Sequence, residues 1–167
     1  MVLVCGRRAL FAIGANLFGG VLLAINPPRE PAPRFVARTL DGDKLTNESL
    51  RGKVVLLQFW ATWCPYCRQD QPAVDLLVHD FASQGLVVLA VNVGESRKKV
   101  KQYLQQSPRA CAVVLTEDTN LAAVFAASSY PFYVLINKDG KIAGTHKGAA
   151  GEDTLRRLLQ KAGLEAE

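Results

Sequence analysis

The sequence has few of the side chains that hold structural metal ions. Among 167 residues there are two histidines and four cysteines. A structural zinc site needs four such ligands close together. Apart from one closely spaced pair of cysteines, the ligands are scattered along the chain, at Cys5, Cys111, His79 and His146. We therefore expect no bound metal.

The net charge is also small. Four arginines and one glutamate give the first 34 residues a net charge of +3, which leaves only +2 of the total of +5 for residues 35–167. The basic run from Arg97 to Lys101 fits a solvated helix face. A nearly neutral body lacks the positive surface that nucleic-acid binding requires, so we expect no nucleic-acid partner.

Low-complexity tracts and internal repeats are absent. Hydrophobic residues make up 49% of the chain and charged residues 21%, a composition that excludes disordered and repeat proteins. A chain of this length is typical of one domain with a sizeable core.

One long apolar run is present, from Ala9 to Ile25, directly after Arg7 and Arg8. As a helix it would span about 25 Å, slightly less than the ~30 Å of hydrocarbon in a bilayer. Both a cleaved signal peptide and an uncleaved signal anchor are therefore open. The anchor is favoured because no clear small-x-small cleavage site precedes Pro27. A twin-arginine export signal and a buried core helix are weaker alternatives.

The two arginines before the run keep the N-terminus cytoplasmic by the positive-inside rule. We therefore predict a signal anchor or signal peptide with a short linker over residues 1–28, and one domain over residues 29–167 on the extracytoplasmic side of a bacterial cell membrane. If the segment is cleaved, the domain is periplasmic or secreted.

From Phe35 onward, short apolar runs alternate with turn signals. Phe35–Leu40 and Leu45–Thr46 flank an Asp-Gly turn and predict a hairpin. Val54–Trp60 is a continuous run rich in β-branched and aromatic residues, and Leu86–Val93 is a second run rich in β-branched residues. Both are typical of strands buried on both faces, and a helix over about residues 64–83 joins them. The other predicted elements are a helix at 96–106, a strand at 111–115, a helix at 119–127, strands at 132–136 and 141–146, and a helix at 152–162. The order predicts an α/β fold with a central mixed sheet flanked by helices, an N-terminal hairpin and an N-terminal apolar helix.

The motif that indicates a chemical function is Cys64-Pro65-Tyr66-Cys67, at the point where a predicted buried strand passes into a helix. Two cysteines in this spacing and place are a redox signal. A helix N-terminus favours a thiolate on Cys64, which is the nucleophile of disulfide exchange. Cys67 lies one turn further, where its thiolate can attack the mixed disulfide and release the reduced substrate. Pro65 suits the first helical position, and Tyr66 modulates thiolate stability.

Other uses of these cysteines stay open. His146 could complete a soft copper site with the two thiolates, as in a copper-delivery protein. Alternatively, the cysteines could merely pack or cross-link. A peroxidase is disfavoured, because Ala61 stands three residues before Cys64 where such a site expects a threonine.

The chain resembles the thioredoxin superfamily, and within it the membrane-anchored extracytoplasmic thiol-disulfide oxidoreductases of the TlpA or ResA type. The resemblance covers about residues 35–159 and is carried by Gly52–Cys64, Ala90–Ser96 and Tyr130–Lys141. It implies a thioredoxin-like fold, a disulfide-bonded protein substrate such as apocytochrome c, a thiol donor in the membrane, and no cofactor beyond the Cys64–Cys67 disulfide.

The resemblance also implies roles for single residues. It implies a cis-proline beside the active site, for which Pro131 is the one good candidate. Gln58 stands where cytoplasmic thioredoxin has a buried aspartate, and it cannot accept a proton from Cys67. Asp70, on the same helix face as Cys67, is our candidate acceptor, the alternative being a solvated carboxylate. The implied substrate groove consists of Trp63, Pro65, Tyr66, Tyr130 and Pro131, with Tyr130 bulky for its position.

The remaining residues allow simpler interpretations. We expect Cys111 to be a small buried hydrophobe and His79 to lie at the surface, whereas Glu95 could approach the active site. A disulfide reductase is the expected function, and an oxidant or isomerase is the runner-up, because Pro65-Tyr66 between the cysteines does not fix a reduction potential.

Overall fold

The computed structural model describes residues 29–165. The predicted N-terminal apolar helix lies outside these residues and stays a prediction. Within the described part, no helix has both the length and the apolar content needed to cross a membrane. The elements in chain order are β1 (Val36–Thr39), β2 (Lys44–Thr46), β3 (Val54–Trp60), α1 (Pro65–Phe81), β4 (Leu86–Asn92), α2 (Arg97–Gln106), β5 (Ala112–Thr119), α3 (Leu121–Val124), β6 (Phe132–Ile136), β7 (Ile142–Lys147) and α4 (Gly151–Gln160).

The strands form one mixed sheet in the order β2-β1-β5-β4-β3-β6-β7. β3 pairs in parallel with β4 and antiparallel with β6, and the β1–β2 hairpin lies at one edge. Every residue of β3 is buried, as expected for a strand that is apolar at all positions but Gln58. β3 and β4 therefore lie in the interior of the sheet, and α1, which connects them, begins just after the end of β3.

The two faces of the sheet carry separate apolar layers. The odd-numbered residues from Val55 to Phe59 belong to a layer closed by α3 and the segment around Leu50. The even-numbered apolar residues of β3 face the other layer, which α1, α2 and α4 cover. Since side chains alternate along a strand, Gln58 lies on this second face together with Trp60.

α1 follows directly from the predicted motif. Cys64 is its N-cap, Pro65 occupies its first turn, and Pro72 lies inside the helix. Its buried residues recur every three or four positions, which is the pattern of a helix with one face against a sheet. These residues are Cys67, Asp70, Val74, Leu77 and Phe81. Cys67 and Asp70 therefore lie one turn apart on the face that packs on the sheet.

One predicted helix is shorter than its pattern indicated. The sequence predicts a helix over residues 119–127, whereas α3 covers Leu121–Val124 and β5 continues to Thr119. The β-branched Thr119 pairs with Ala37 of β1, and this pairing holds it extended. Ala126 then has a φ of +48°, and this left-handed residue follows the end of the helix.

Candidate active site

Cys64 and Cys67 form a disulfide at the N-terminus of α1, with their Cα atoms 5.3 Å apart. The Cys64 Sγ accepts a hydrogen bond of 3.1 Å from the Cys67 backbone N–H. Cys64 is 2% exposed and Cys67 is fully buried. The free N–H groups of a first helical turn favour negative charge, so this position stabilises a thiolate on Cys64 once the disulfide is reduced.

Aromatic side chains lie on the solvent side of the disulfide. Trp63 is 60% exposed and Tyr66 is 58% exposed. The Trp63 ring meets the Tyr130 ring edge-on, with centroids 6.2 Å apart, and Tyr130 packs on the cluster that contains both cysteines. The Tyr130–Pro131 peptide bond is cis, as the resemblance implies. Trp63 and Tyr66 thus form an exposed aromatic surface next to Cys64, with Tyr130 against Trp63, whereas Pro131 is buried. The substrate groove that these residues are expected to form with Pro65 stays a prediction.

The loop before the disulfide is held by Glu95, which follows β4. Its carboxylate accepts hydrogen bonds from the backbone N–H and the hydroxyl of Thr62, both at 2.6 Å, and from the Asn92 amide at 2.8 Å. The Lys99 Nζ lies 2.7 Å away, and the Glu95 side chain is 4% exposed. Burial alone raises the pKa of Glu95, but the hydrogen bonds from Asn92, Lys99 and Thr62 outweigh it and lower the pKa to about 2. Glu95 is therefore a buried anion that anchors this loop.

Asp70 is buried on α1, one turn beyond Cys67, and is 1% exposed. Its carboxylate accepts hydrogen bonds from the Tyr133 hydroxyl at 2.8 Å and from the backbone N–H groups of Ala150 and Gly151 at 2.8 and 3.1 Å. The alternative of a solvated carboxylate is therefore wrong. Among the described residues, Asp70 has no hydrogen bond to a cysteine, so its role as proton acceptor stays a prediction.

Gln58 and Tyr133 extend this hydrogen-bond network across the face of the sheet. The Gln58 Nε2 donates to the Tyr133 hydroxyl at 3.3 Å, and its Oε1 accepts from the Arg109 Nη1 at 2.8 Å. The Arg109 guanidinium stacks on Trp60, with Cζ 3.5 Å from the ring centroid. Burial and the Asp70 carboxylate raise the pKa of Tyr133, so its hydroxyl stays protonated and donates.

Sequence reasoning missed Arg109 and the Tyr133 hydroxyl. Arg109 lies in the polar segment between α2 and β5, where no apolar pattern marks a residue as buried. Tyr133 stands in an apolar strand, where it counts as a core residue. The buried glutamine before Phe59-Trp60 is the signal that could have found both, because a fully buried amide needs partners on each side.

The other sulfur and imidazole groups lie apart from this chemistry. Cys111 is half-buried, and not fully buried as expected from the sequence. Desolvation raises the pKa of its thiol to about 11, so the thiol is largely protonated and poorly reactive at neutral pH. His79 is exposed, and the His146 Nε2 lies 3.2 Å from the Ala149 carbonyl oxygen. Within residues 29–165, no three His, Cys, Asp or Glu side chains are close enough to hold a metal ion.

The chain is similar to bacterial thiol-disulfide proteins over most of its length. The model of the AhpC/TSA family matches residues 28–145. Thiol-disulfide oxidoreductase ResA from Bacillus subtilis (strain 168) is 31% identical over 95% of this chain and 87% of that protein. Thioredoxin-like protein YneN from the same organism is 33% identical over 81% and 79%. The crystal structure of a thiol:disulfide interchange protein of the thioredoxin family from Chlorobium tepidum TLS superposes with a TM-score of 0.72 at 27% identity, over 82% of this chain and 98% of that one.

Proposed function

The chain belongs to the AhpC/TSA family and is a thiol-disulfide oxidoreductase of the ResA type with a thioredoxin-like fold, and from this premise we propose that it acts as a disulfide reductase outside the cytoplasmic membrane. The observation that carries the proposal is the position of the Cys64–Cys67 pair at the N-terminus of α1, beside an exposed aromatic face. This position combines a stabilised thiolate with a surface for a protein substrate.

The proposed reaction transfers two electrons from the dithiol to a substrate disulfide. The Cys64 thiolate attacks one substrate sulfur, a mixed disulfide forms, and the leaving substrate sulfur takes up a proton. Cys67 then gives up its proton, which we assign to Asp70 as acceptor, and attacks the Cys64 Sγ. The second substrate thiol is released, and the Cys64–Cys67 disulfide forms again, ready for reduction by a thiol donor.

The substrate groove is proposed to hold an extended peptide segment. Its residues are Trp63, Pro65, Tyr66, Tyr130 and Pro131. Support comes from the exposure of Trp63 and Tyr66 and from the hydrogen bond of the Tyr130 hydroxyl to the Ala127 carbonyl at 3.2 Å, which fixes the ring that borders the groove. Apocytochrome c, whose cysteines must be reduced before haem attachment, is the proposed substrate class, by resemblance to ResA-type proteins.

The location outside the cytoplasm is proposed from residues 1–28. A signal anchor there would tether the domain to the bacterial cell membrane and place it near a membrane thiol donor. In intact spheroplasts we expect added protease to degrade the domain, and in broken cells we expect the full chain to stay with membranes after alkaline carbonate extraction. Recovery of a shortened chain in the soluble periplasmic fraction would instead indicate cleavage, and protection from protease in spheroplasts would contradict the proposed location.

Turnover with insulin as a disulfide substrate tests the proposed function. With dithiothreitol as electron source, the full chain should accelerate insulin reduction. Cys64→Ser should abolish this acceleration, whereas Cys67→Ser should accumulate a mixed disulfide with the substrate. Cys111→Ser is the matched control and should retain the rate of the unaltered chain, because the raised pKa of the Cys111 thiol keeps it protonated and poorly reactive. No acceleration by the unaltered chain would contradict the proposal.

A further inference from the structure

Arg109 is a half-buried residue whose guanidinium is only partly paired. Its Nε and Nη2 atoms are buried and have no hydrogen-bond partner, and among the described residues its guanidinium takes part in no salt bridge. Burial lowers the pKa of Arg109 below its ordinary value. A largely buried charge without an ion pair is costly, so a further anion close to Arg109 would be stabilised there.

Arg109 is linked to the disulfide through Trp60. It stacks on Trp60, and Trp60 packs in one apolar cluster with Cys64 and Cys67. Its Nη1 donates to Gln58, which lies on the same face of the sheet as Trp60. The cation is therefore held from two sides, by a ring that packs with the cysteines and by an amide next to that ring on β3.

Reduction of the disulfide creates a new anion in the apolar cluster that contains Trp60. The oxidised pair is neutral, whereas uptake of two electrons and one proton leaves one thiol and one thiolate. In a cluster of apolar side chains a nearby cation stabilises such a charge more strongly than it would in water.

We propose that Arg109 is a positioning residue of the dithiol, held by Gln58 and Trp60 so that its cation balances the thiolate formed when the Cys64–Cys67 disulfide is reduced. This inference rests on the proposed function only in requiring that the pair cycles between its two states, and it does not depend on the direction of electron flow. A larger thiolate fraction at neutral pH speeds disulfide exchange, which gives a reductase a use for the cation.

One of the other ionisable groups around Arg109 is a carboxylate. The electrostatic neighbours of Arg109 are Cys111 beside β5, Tyr103 of α2, Asp75 of α1 and Tyr133 of β6. Burial raises the pKa of both Cys111 and Tyr133, so both stay protonated and neutral. Asp75 is the one carboxylate among these neighbours, and it forms no salt bridge with Arg109. The charged residues that line the adjacent open cavity of about 420 Å³ are Asp41, Lys101 and Arg109 itself.

The test is a pH titration of the reduced full chain, followed by the ultraviolet absorbance of the thiolate. Arg109→Met and Arg109→Gln remove the charge, and Arg109→Lys keeps it. Arg156→Met is the matched control, because Arg156 also lies over an aromatic ring, that of Phe81 at the far end of α1.

At an effective dielectric constant of about 20, two unit charges within about 12 Å of each other change an ionisation constant by about tenfold or more. The two neutral Arg109 variants should therefore raise the lower pKa of the dithiol by about one unit. At a pH above that pKa, the two variants should lower the reduction potential by about 30 mV, which corresponds to a tenfold change in the equilibrium constant of a two-electron couple. Arg109→Lys should restore most of both values, and Arg156→Met should change neither.

The outcomes separate this inference from the proposed function. If the unaltered chain has no reversible dithiol couple, the function and the inference both fail. If it has one, and the neutral Arg109 variants titrate as the unaltered chain does, the inference alone is overturned. A variant that is less stable but has unchanged thiol ionisation would assign Arg109 a structural role only and would also overturn it. If Arg109→Met does not fold, Arg109→Gln decides between these results.

Discussion

The buried carboxylate of Asp70 accepts three hydrogen bonds, from Tyr133, Ala150 and Gly151. We therefore predict two separable effects of the substitution Asp70→Asn, one on stability and one on turnover. The amide turns one acceptor oxygen into a donor, so at least one hydrogen bond is lost and the free energy of unfolding should fall by about 1–3 kcal/mol. Insulin reduction should also slow, because Cys67 loses its proposed proton acceptor.

Urea unfolding measures the effect of the Asp70→Asn substitution on stability, and the rate of insulin reduction measures its effect on turnover. Asp139→Asn, in an exposed turn, is the control and should change stability by less than about 0.5 kcal/mol. Unchanged turnover and an unchanged Cys67 titration in Asp70→Asn would leave Asp70 with a structural role alone.

Glu95 predicts a pH dependence of stability. Its pKa is about 2 in the folded protein, against an ordinary value of 4.5. A group with a lowered pKa stabilises the fold fully above its unfolded value, and this contribution is lost as the pH falls through the folded value. The stability difference between the unaltered chain and Glu95→Gln should therefore be constant above about pH 4.5 and should shrink toward about pH 2.

Urea unfolding at several pH values tests this expectation for Glu95. The exposed Glu117→Gln serves as the control and should show a small difference from the unaltered chain at neutral pH. A difference for Glu95→Gln that stays the same down to pH 2 would contradict the assignment of Glu95 as a buried anion.

At the scale of elements, α4 is tied to α1 by an apolar layer. Leu155 of α4 is fully buried in the cluster that contains Val74 and Leu77 of α1. Leu155→Ala should lower the free energy of unfolding by about 2–5 kcal/mol, because it removes buried methyl groups and leaves a cavity. Leu76→Ala on the outer side of α1, where the side chain is 47% exposed, should change it by less than about 0.5 kcal/mol. Equal effects in denaturant unfolding would contradict this packing.

The elements that sequence could predict are those with a local cause. The run Val54–Trp60 is apolar except for Gln58 and predicts a buried strand, and the cysteine pair with Pro65 marks where α1 begins. The boundary between β5 and α3 has no such local cause. Thr119 is held extended by pairing with Ala37, more than eighty residues earlier in the chain, and such long-range pairing cannot be seen in a short window of sequence.

At the scale of the whole molecule, the site also combines features with a local cause in the sequence and features that depend on contacts distant along the chain. The cysteine pair and Pro131 were predictable, because proximity along the chain or a family pattern identifies them. The network from Arg109 through Gln58 and Tyr133 was not, because it joins residues from separate elements that only the folded sheet brings together. A polar residue can be recognised as part of a buried hydrogen-bond network only once the fold shows that it is buried.

The reduction potential of the Cys64–Cys67 couple in the full chain is the most direct test of the proposed reductase. The oxidised and reduced fractions are measured at equilibrium in defined dithiothreitol and glutathione buffers, where about 30 mV corresponds to a tenfold change in the equilibrium constant. We predict a potential below about −230 mV, in the range of thiol reductants. A potential near −120 mV, the range of a strong disulfide oxidant, or the absence of a reversible couple would contradict the account.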